Sequence, residues 1–479
     1  MVSHYSIETF PTPCDPSLLP TPQSGENHDL TSKSAEKSPS WEIEQTTHVT
    51  AVDEQPDGGL RGWLTVFGSW LFQFCMVGAV TSFGAYQDFY SERFLSNVAP
   101  SAISWIGTIQ LFLEYFLGLS VGRLLDAGHF RKTVLFGTVV SVVSIFALSF
   151  CQQGQYYQVL LSQGLGMGAG LGIAFLPTSG VISYHFTKRK ALAMGIATTG
   201  TSLGGFVFSV LLNRFFQMDG VGFAWGVRII GFIVALGLAV ANIVIDPNPR
   251  KPAKTSEISV DKNEKPSEPT SPPLPISALL RDPAYVLCIS SGFIVCLGLY
   301  YPMFYIQTFA RQHGISESLI SYTLATINLS GILGRTMPNY LADRVGGGYG
   351  ALKVYVPCTL AAGVLVFVML ACTQPASLVV FCILYGFFSG SIVSLYFPTV
   401  VSLDPNVTST GVRLGLACMP VGLASLVGSP ITATIVGDVD FQWARGEIFA
   451  GGCEIISAIF LFLCLRIKLR RERMREVMQ

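Results

Sequence analysis

Long apolar stretches recur along most of the chain, each divided from the next by a short polar segment. Crossing a hydrocarbon layer of about 30 Å takes about 20 residues of helix, and a backbone inside it must satisfy its own hydrogen bonds. That length test predicts twelve helical spans, near 63–86, 101–124, 133–151, 156–182, 190–212, 224–245, 284–308, 317–341, 351–372, 376–401, 411–436 and 446–468. The fold class that follows is an all-α integral membrane protein with six spans on each side of a hydrophilic connector. Residues 57–245 then form an N-terminal six-helix bundle, 246–283 a linker with nine prolines, 284–468 a C-terminal six-helix bundle, and 469–479 a basic tail. Residues 1–56 are rich in Pro, Ser, Thr and acid, a composition that cannot bury enough apolar surface to offset chain entropy, so this tail reads as disordered. It holds no basic start followed by a short apolar run, so the first span targets the chain to the membrane.

Composition agrees with the pattern. Of 479 residues 50% are hydrophobic and 13% charged, where soluble globules carry roughly twice that charged share. Thirty Lys plus Arg balance thirty Asp plus Glu, which leaves no electrostatic footprint for nucleic acid. The 11 cysteines form no CxxC pair and have no histidine at ligand spacing, so they read as small core residues, with neither a metal site nor a cofactor implied. Basic residues fix the orientation. Arg123, Arg131, Lys132, Lys188, Arg189, Lys190, Arg344, Lys353 and Arg413 fall in the loops after spans 2, 4, 8 and 10, and more follow span 12. By the positive-inside rule both termini and the connector are cytoplasmic, and the lack of a retention signal favours the plasma membrane.

The halves repeat one another. Gly122-Arg-Leu-Leu-Asp126 follows span 2 with Arg131 beyond it, and Asn339-Tyr-Leu-Ala-Asp343-Arg344 follows span 8; Phe175-Leu-Pro177-Thr178 in span 4 matches Tyr396-Phe-Pro398-Thr399 in span 10. Repeats of this kind build a site at their shared interface in many transporters. Acid–Arg turns after the second and eighth of twelve spans resemble the major facilitator superfamily. Within it, Asp57-Gly58-Gly59-Leu-Arg-Gly62-Trp63 and the run from Tyr184 to Gly205, with Lys188, Arg189, Gly195 and Gly200, are similar to the two signature regions of the monocarboxylate porter family. The acidic tail and the loop GRLLDAGHFRK look like its fungal branch. The resemblance covers roughly residues 56–470 and implies alternating-access movement of a small organic anion together with a proton, and it leaves the need for a single-pass accessory membrane protein open. Proton–lactate members have a lysine where Thr81 stands and an acid where Gly331 stands, so a substrate other than lactate is expected; their span-8 arginine matches Arg335.

The residues themselves point to the same chemistry. Arg335 lies inside a span, where a charge costs about 2.5–3.5 kcal/mol and is retained mainly for a cavity or a partner; its fork can hold a carboxylate, or it pairs with Asp343 as part of a gate. Glu114 sits mid-span without a cation in its helix and is either a proton-coupling carboxyl or a neutral acid bonded to a neighbouring helix. Glu454 in span 12 reads as structural. Tyr300, Tyr301, Phe304 and Tyr305 of span 7 form either a cavity wall or an interfacial aromatic belt. Asp126 with Arg131, and Asp343 with Arg344, are expected to latch the two halves. The glycines of spans 4 and 5 serve helix packing rather than phosphate binding, and Asn406-Val-Thr408 is a glycosylation acceptor in a loop predicted to be cytoplasmic. The leading reading is a secondary transporter of a small organic solute, with lipid and protons as its other partners. Export of a fungal metabolite is the alternative, a non-transporting sensor the remote one, and catalysis is not expected because no His, Ser or Asp cluster recurs at one depth.

Overall fold

A computed structural model describes residues 57–218, 220–247, 276–345, 348–403, 410–437 and 442–478. The predicted tail 1–56, most of the connector and Asn406-Val-Thr408 lie outside the described residues. Helices follow one another in the predicted order. Spans 1 to 6 are Gly59–Phe94, Ala102–Asp126, Phe130–Leu148, Tyr156–Tyr184, Lys190–Gln217 and Gly222–Val244. Span 7 is Pro283–Gln312, span 8 Glu317–Val345, and spans 9 to 12 are Gly350–Ala371, Pro375–Ser402, Thr410–Val436 and Trp443–Met474. Among the described residues eleven of these are long and apolar enough to cross a membrane. Span 8 is the other one; its 29 residues include Asn328, Ser330, Arg335, Asn339 and Asp343, a polar content that marks a helix facing protein or water.

Four spans are interrupted along their length, span 2 among them at Leu117, between Pro100–Phe116 and Gly118–Asp126. Span 1 is interrupted at Ser82. The glycine-rich start of span 4 adopts a π-helical turn over Leu160–Met167. Span 7 divides into Pro283–Gly298 and Tyr301–Gln312, because Pro302 has no N–H for the Gly298 carbonyl one turn earlier. The helix of span 12 runs on to Met478 and is tied back to the start of span 7, where Asp282 caps the helix by accepting from the Ala284 amide at 3.2 Å. The Asp282 carboxylate also receives Lys468 Nζ at 3.3 Å and Arg471 at 2.8 Å.

Spans 1 and 5 meet at backbone distance. Gly78 faces Gly204, and Gly200 lies on the Trp70 carbonyl, so a side chain at any of these would meet main chain. Ser69 donates to the Thr178 carbonyl at 2.6 Å and Thr201 to Gln73 at 3.1 Å, which satisfies polar groups that the bilayer could not. The entry to span 1 is held just as closely. Gly58, at φ 85°, sits against the Phe186 ring, which packs edge-on to Trp63 at 5.1 Å. Asp57 accepts from the Thr187 amide at 2.7 Å, the Thr187 hydroxyl at 3.0 Å and the Arg189 amide at 2.6 Å. Two stretches far apart in the chain, both singled out in the sequence, thus form one knot beneath spans 1 and 5.

Burial works to raise the Asp57 carboxyl pKa, but the amides of Thr187 and Arg189 outweigh it and hold the group below its ordinary value. A carboxyl so depressed contributes stability above its unfolded pKa of about 3.9 and loses it as pH falls through the native value. Asp57→Asn is therefore expected to lower the thermal midpoint of the purified protein at neutral pH. The gap to wild type should begin to narrow as the same melts are taken below about pH 4 and close once pH has passed the depressed native value.

Candidate functional site

The two halves are joined most closely at one end. Span 2 crosses span 11 on glycine: Gly122 lies against the Gly411 carbonyl, and Gly118 against Gly415 and Cys418. At the close of span 2 the Asp126 carboxylate sits over the first turn of span 11, one oxygen accepting from the Gly411 amide and the other from Val412, both at 2.7 Å. The second half repeats the device. Asp343, closing span 8, accepts from the Ala191 and Leu192 amides of the first turn of span 5, at 3.0 and 2.8 Å, while Gly195 rests on the Arg335 carbonyl and on Asn339. A helix N-terminus presents unsatisfied N–H groups and partial positive charge, so a carboxylate there gains about 0.3–1 kcal/mol from the dipole besides its charge-assisted bonds.

These contacts correct one expectation. Asp126 does not pair with Arg131, nor Asp343 with Arg344; both carboxylates are already engaged by paired amides of the opposite half. Arg344 lies over the Tyr340 ring at 4.9 Å, and the cation acting on Asp126 is Arg413. Arg335 is not paired with Asp343 either, for the same reason.

Further along the interface lies a cluster of buried polar groups. Glu114 of span 2 is 1% exposed and neither carboxylate oxygen accepts a hydrogen bond of good geometry, with the adjacent Tyr115 hydroxyl as a donor close by; one turn earlier Gln110, also 1% exposed, leaves both amide atoms unpartnered. The guanidinium of Arg335 of span 8, 9% exposed, forms no ion pair among the described residues, and its Nε has no hydrogen-bond partner. Between them stand Tyr115 of span 2 and Tyr300 of span 7, which both act electrostatically on Glu114 and on Arg335. Beside them, Tyr115 meets Phe175 edge-on at 5.6 Å and Phe175 meets Phe397 at 5.7 Å, so the repeated proline segments of spans 4 and 10 touch across the halves.

The remaining sequence-derived candidates separate. Thr81 is exposed, bonds the Gly78 carbonyl at 3.0 Å, and flanks Gly205 together with Asn328 of span 8. A side chain at Gly331 would meet the Ser202 hydroxyl and the Gly386 carbonyl, a place walled by spans 5 and 10. Of the span 7 aromatics, Tyr300, Tyr301, Phe304 and Tyr305 all border a small recess against Ser425, Gly428 and Thr432 of span 11. Within it Tyr301 is buried towards span 12, donating to the Trp443 carbonyl at 3.4 Å and packing on Gly446. Sequence reading missed Gln110 and Tyr115. A polar residue at i−4 from Glu114 in an apolar span was the available signal for the first; nothing marked the second.

Residues 62–412 match the family described as the Major Facilitator Superfamily. The protein belongs to the major facilitator superfamily. It is 30% identical over 407 residues to the aspyridones efflux protein apdF of Emericella nidulans, covering 85% of this chain and 78% of that one. It is 31% identical over 410 residues to the agnestins efflux protein AgnL12 of Paecilomyces divaricatus, covering 86% and 88%. The fold is that of the human organic anion transporter MFSD10, with a TM-score of 0.61 at 13% identity over 85% of this chain and all of the other. This major facilitator protein is thus a multi-pass membrane transporter.

Gly122→Leu is expected to force spans 2 and 11 apart, at a cost of about 1–3 kcal/mol. Cys418 lies two helical turns further along span 11 and is buried. Its modification by N-ethylmaleimide, read on the Cys418 peptide by mass spectrometry, should quicken by about tenfold.

Proposed function

We propose that this transporter exports an organic acid of the size and character of a fungal secondary metabolite, together with a proton. The observation that carries the reading is the Arg335 guanidinium, buried at the interface without an anion of its own. A desolvated cation left alone is costly, and a carboxylate or acidic enol entering the cleft would relieve it through a bidentate pair. Tyr115, Tyr300, Phe175 and Phe397 beside it suit a substrate with a flat or aromatic body. The named efflux proteins among its fungal relatives support export over uptake. Within the superfamily we place the chain nearest the fungal branch of the monocarboxylate porters, on its Asp57-Gly58-Gly59 and Tyr184–Gly205 regions, but without lactate as its solute, since Thr81 and Gly331 stand where a lysine and an acid would.

Glu114, on the opposite half from Arg335, is the proposed coupling group. Protonated, it leaves Arg335 as the only charge in the cleft and the anion binds; ionised, it competes for the same cation, so the proton and the anion are carried and released together. The basic, latched end is taken as cytoplasmic by the positive-inside rule, with the plasma membrane as the site of action. In that frame the present arrangement is closed towards the cytoplasm. Rocking the halves apart there would break both latches together.

The test is export from cells that express the protein, comparing metabolites inside and outside. Arg335→Gln should weaken apparent affinity for the exported acid by about 10- to 100-fold, and Glu114→Gln should abolish the pH dependence while leaving the protein at the surface. Wild-type export by Arg335→Gln would defeat the reading.

A further inference from the structure

The mechanism above leaves two buried carboxyls of span 12 unused, Glu447 and Glu454, and the second is tied to the break of span 7. Glu454 of span 12 is 0% exposed, packed between spans 7, 9 and 10, with Gly363 of span 9 making room for it. Its Oε1 lies 3.2 Å from the Tyr385 hydroxyl of span 10, and its Oε2 has no partner. The same Tyr385 hydroxyl lies 2.7 Å from the Leu299 carbonyl. Leu299 stands in the break of span 7, between Pro283–Gly298 and Tyr301–Gln312, and the next residue is Tyr300, which faces Glu114 and Arg335.

A phenol carries one proton and can donate it to one acceptor at a time. The shorter contact goes to the Leu299 carbonyl, so the contact with Glu454 is a full hydrogen bond only if the carboxyl is neutral and donates to the phenol oxygen. The chain then reads Glu454 O–H to Tyr385 O–H to Leu299 C=O. When Glu454 is ionised the carboxylate is much the stronger acceptor, the phenol proton turns to it, and the Leu299 carbonyl is released. The groups that face Glu454 cannot substitute for this: Cys296 from span 7, Tyr355 from span 9, Tyr385 from span 10 and Cys453 from its own helix. Among the described residues no cation acts on it. Glu447, two turns away on span 12, acts on Tyr301 instead.

We propose that Glu454 is a proton-dependent positioning residue, whose neutral form clamps the break of span 7 through Tyr385 and whose ionised form frees it, with the proton exchanging with bulk water. Opening or closing this break moves Tyr300 in the central cleft, so the proton state of span 12 sets the geometry of the solute site without touching the solute. The inference goes beyond the export reading and needs no substrate for its test.

Hydrogen exchange of the full chain in lipid nanodiscs, followed by mass spectrometry on peptides covering 296–306 and corrected for the intrinsic pH dependence of exchange, reads the clamp directly. Wild type should lose about fivefold protection as pH rises through a single titration. Glu454→Gln, whose amide can still donate to the phenol, should stay at the protected level throughout. Tyr385→Phe should stay at the unprotected level, and Glu447→Gln should titrate like wild type. Protection independent of pH in the wild type, a wild-type titration in Glu454→Gln, or full protection in Tyr385→Phe would each overturn the proposal; should Glu454→Gln fail to fold, Tyr385→Phe alone decides.

Discussion

A carboxylate placed over the first turn of a helix from the opposite half is the interaction on which the rest of this structure depends. Asp126 reaches the amides of Gly411 and Val412, and Asp343 those of Ala191 and Leu192. Neither bond would form unless the helices could approach to backbone distance, which is what Gly122, Gly411 and Gly195 permit. Each half supplies one acid and receives one, so the two latches are related by the internal repeat. Because the partners are main-chain amides, the latch releases as a unit when the helix end moves away, and no side chain needs to reorient.

The same interface sets the chemistry of the cleft. Holding spans 2 and 8 against the opposite half brings Glu114 and Arg335 to a common pair of tyrosines while leaving neither in an ion pair among the described residues. Such an arrangement costs stability in the empty protein, and it is retained where a ligand or a proton completes it. Glu454 stands apart on span 12, where Tyr385 links it to the break in span 7. The cleft is thus bordered by a buried cation, a carboxyl on the opposite half, and a break in span 7 that Tyr385 joins to a third acid outside the site.

Much of this was legible in the sequence, for identifiable reasons. The length of an apolar stretch is dictated by bilayer thickness, so the helices fell near their predicted bounds; span 8 was found by length, although its polar residues keep it below the apolarity of its neighbours. The repeat located Asp126 and Asp343, because duplicated acids at helix ends stand out. Their partners did not stand out, since a backbone amide has no residue type, and arginines close in sequence were the only visible candidates. The contact of Phe175 with Phe397 depends on how spans 4 and 10 cross, which periodicity within one helix does not encode. Tyr301 was placed on one face with Tyr305, and the two rings do meet, 5.4 Å apart and tilted by 34°, but that face turns partly towards Trp443 of span 12.

The central claim is that the two acid–amide latches hold the halves together at the basic end. Spin labels at the exposed positions Lys132 and Arg344, one in each half, report the separation of that end by double electron–electron resonance. The account predicts a short-distance population in the wild type that is displaced to longer distances in the Asp126→Ala, Asp343→Ala double variant. An unchanged distance distribution in a properly folded double variant would contradict it.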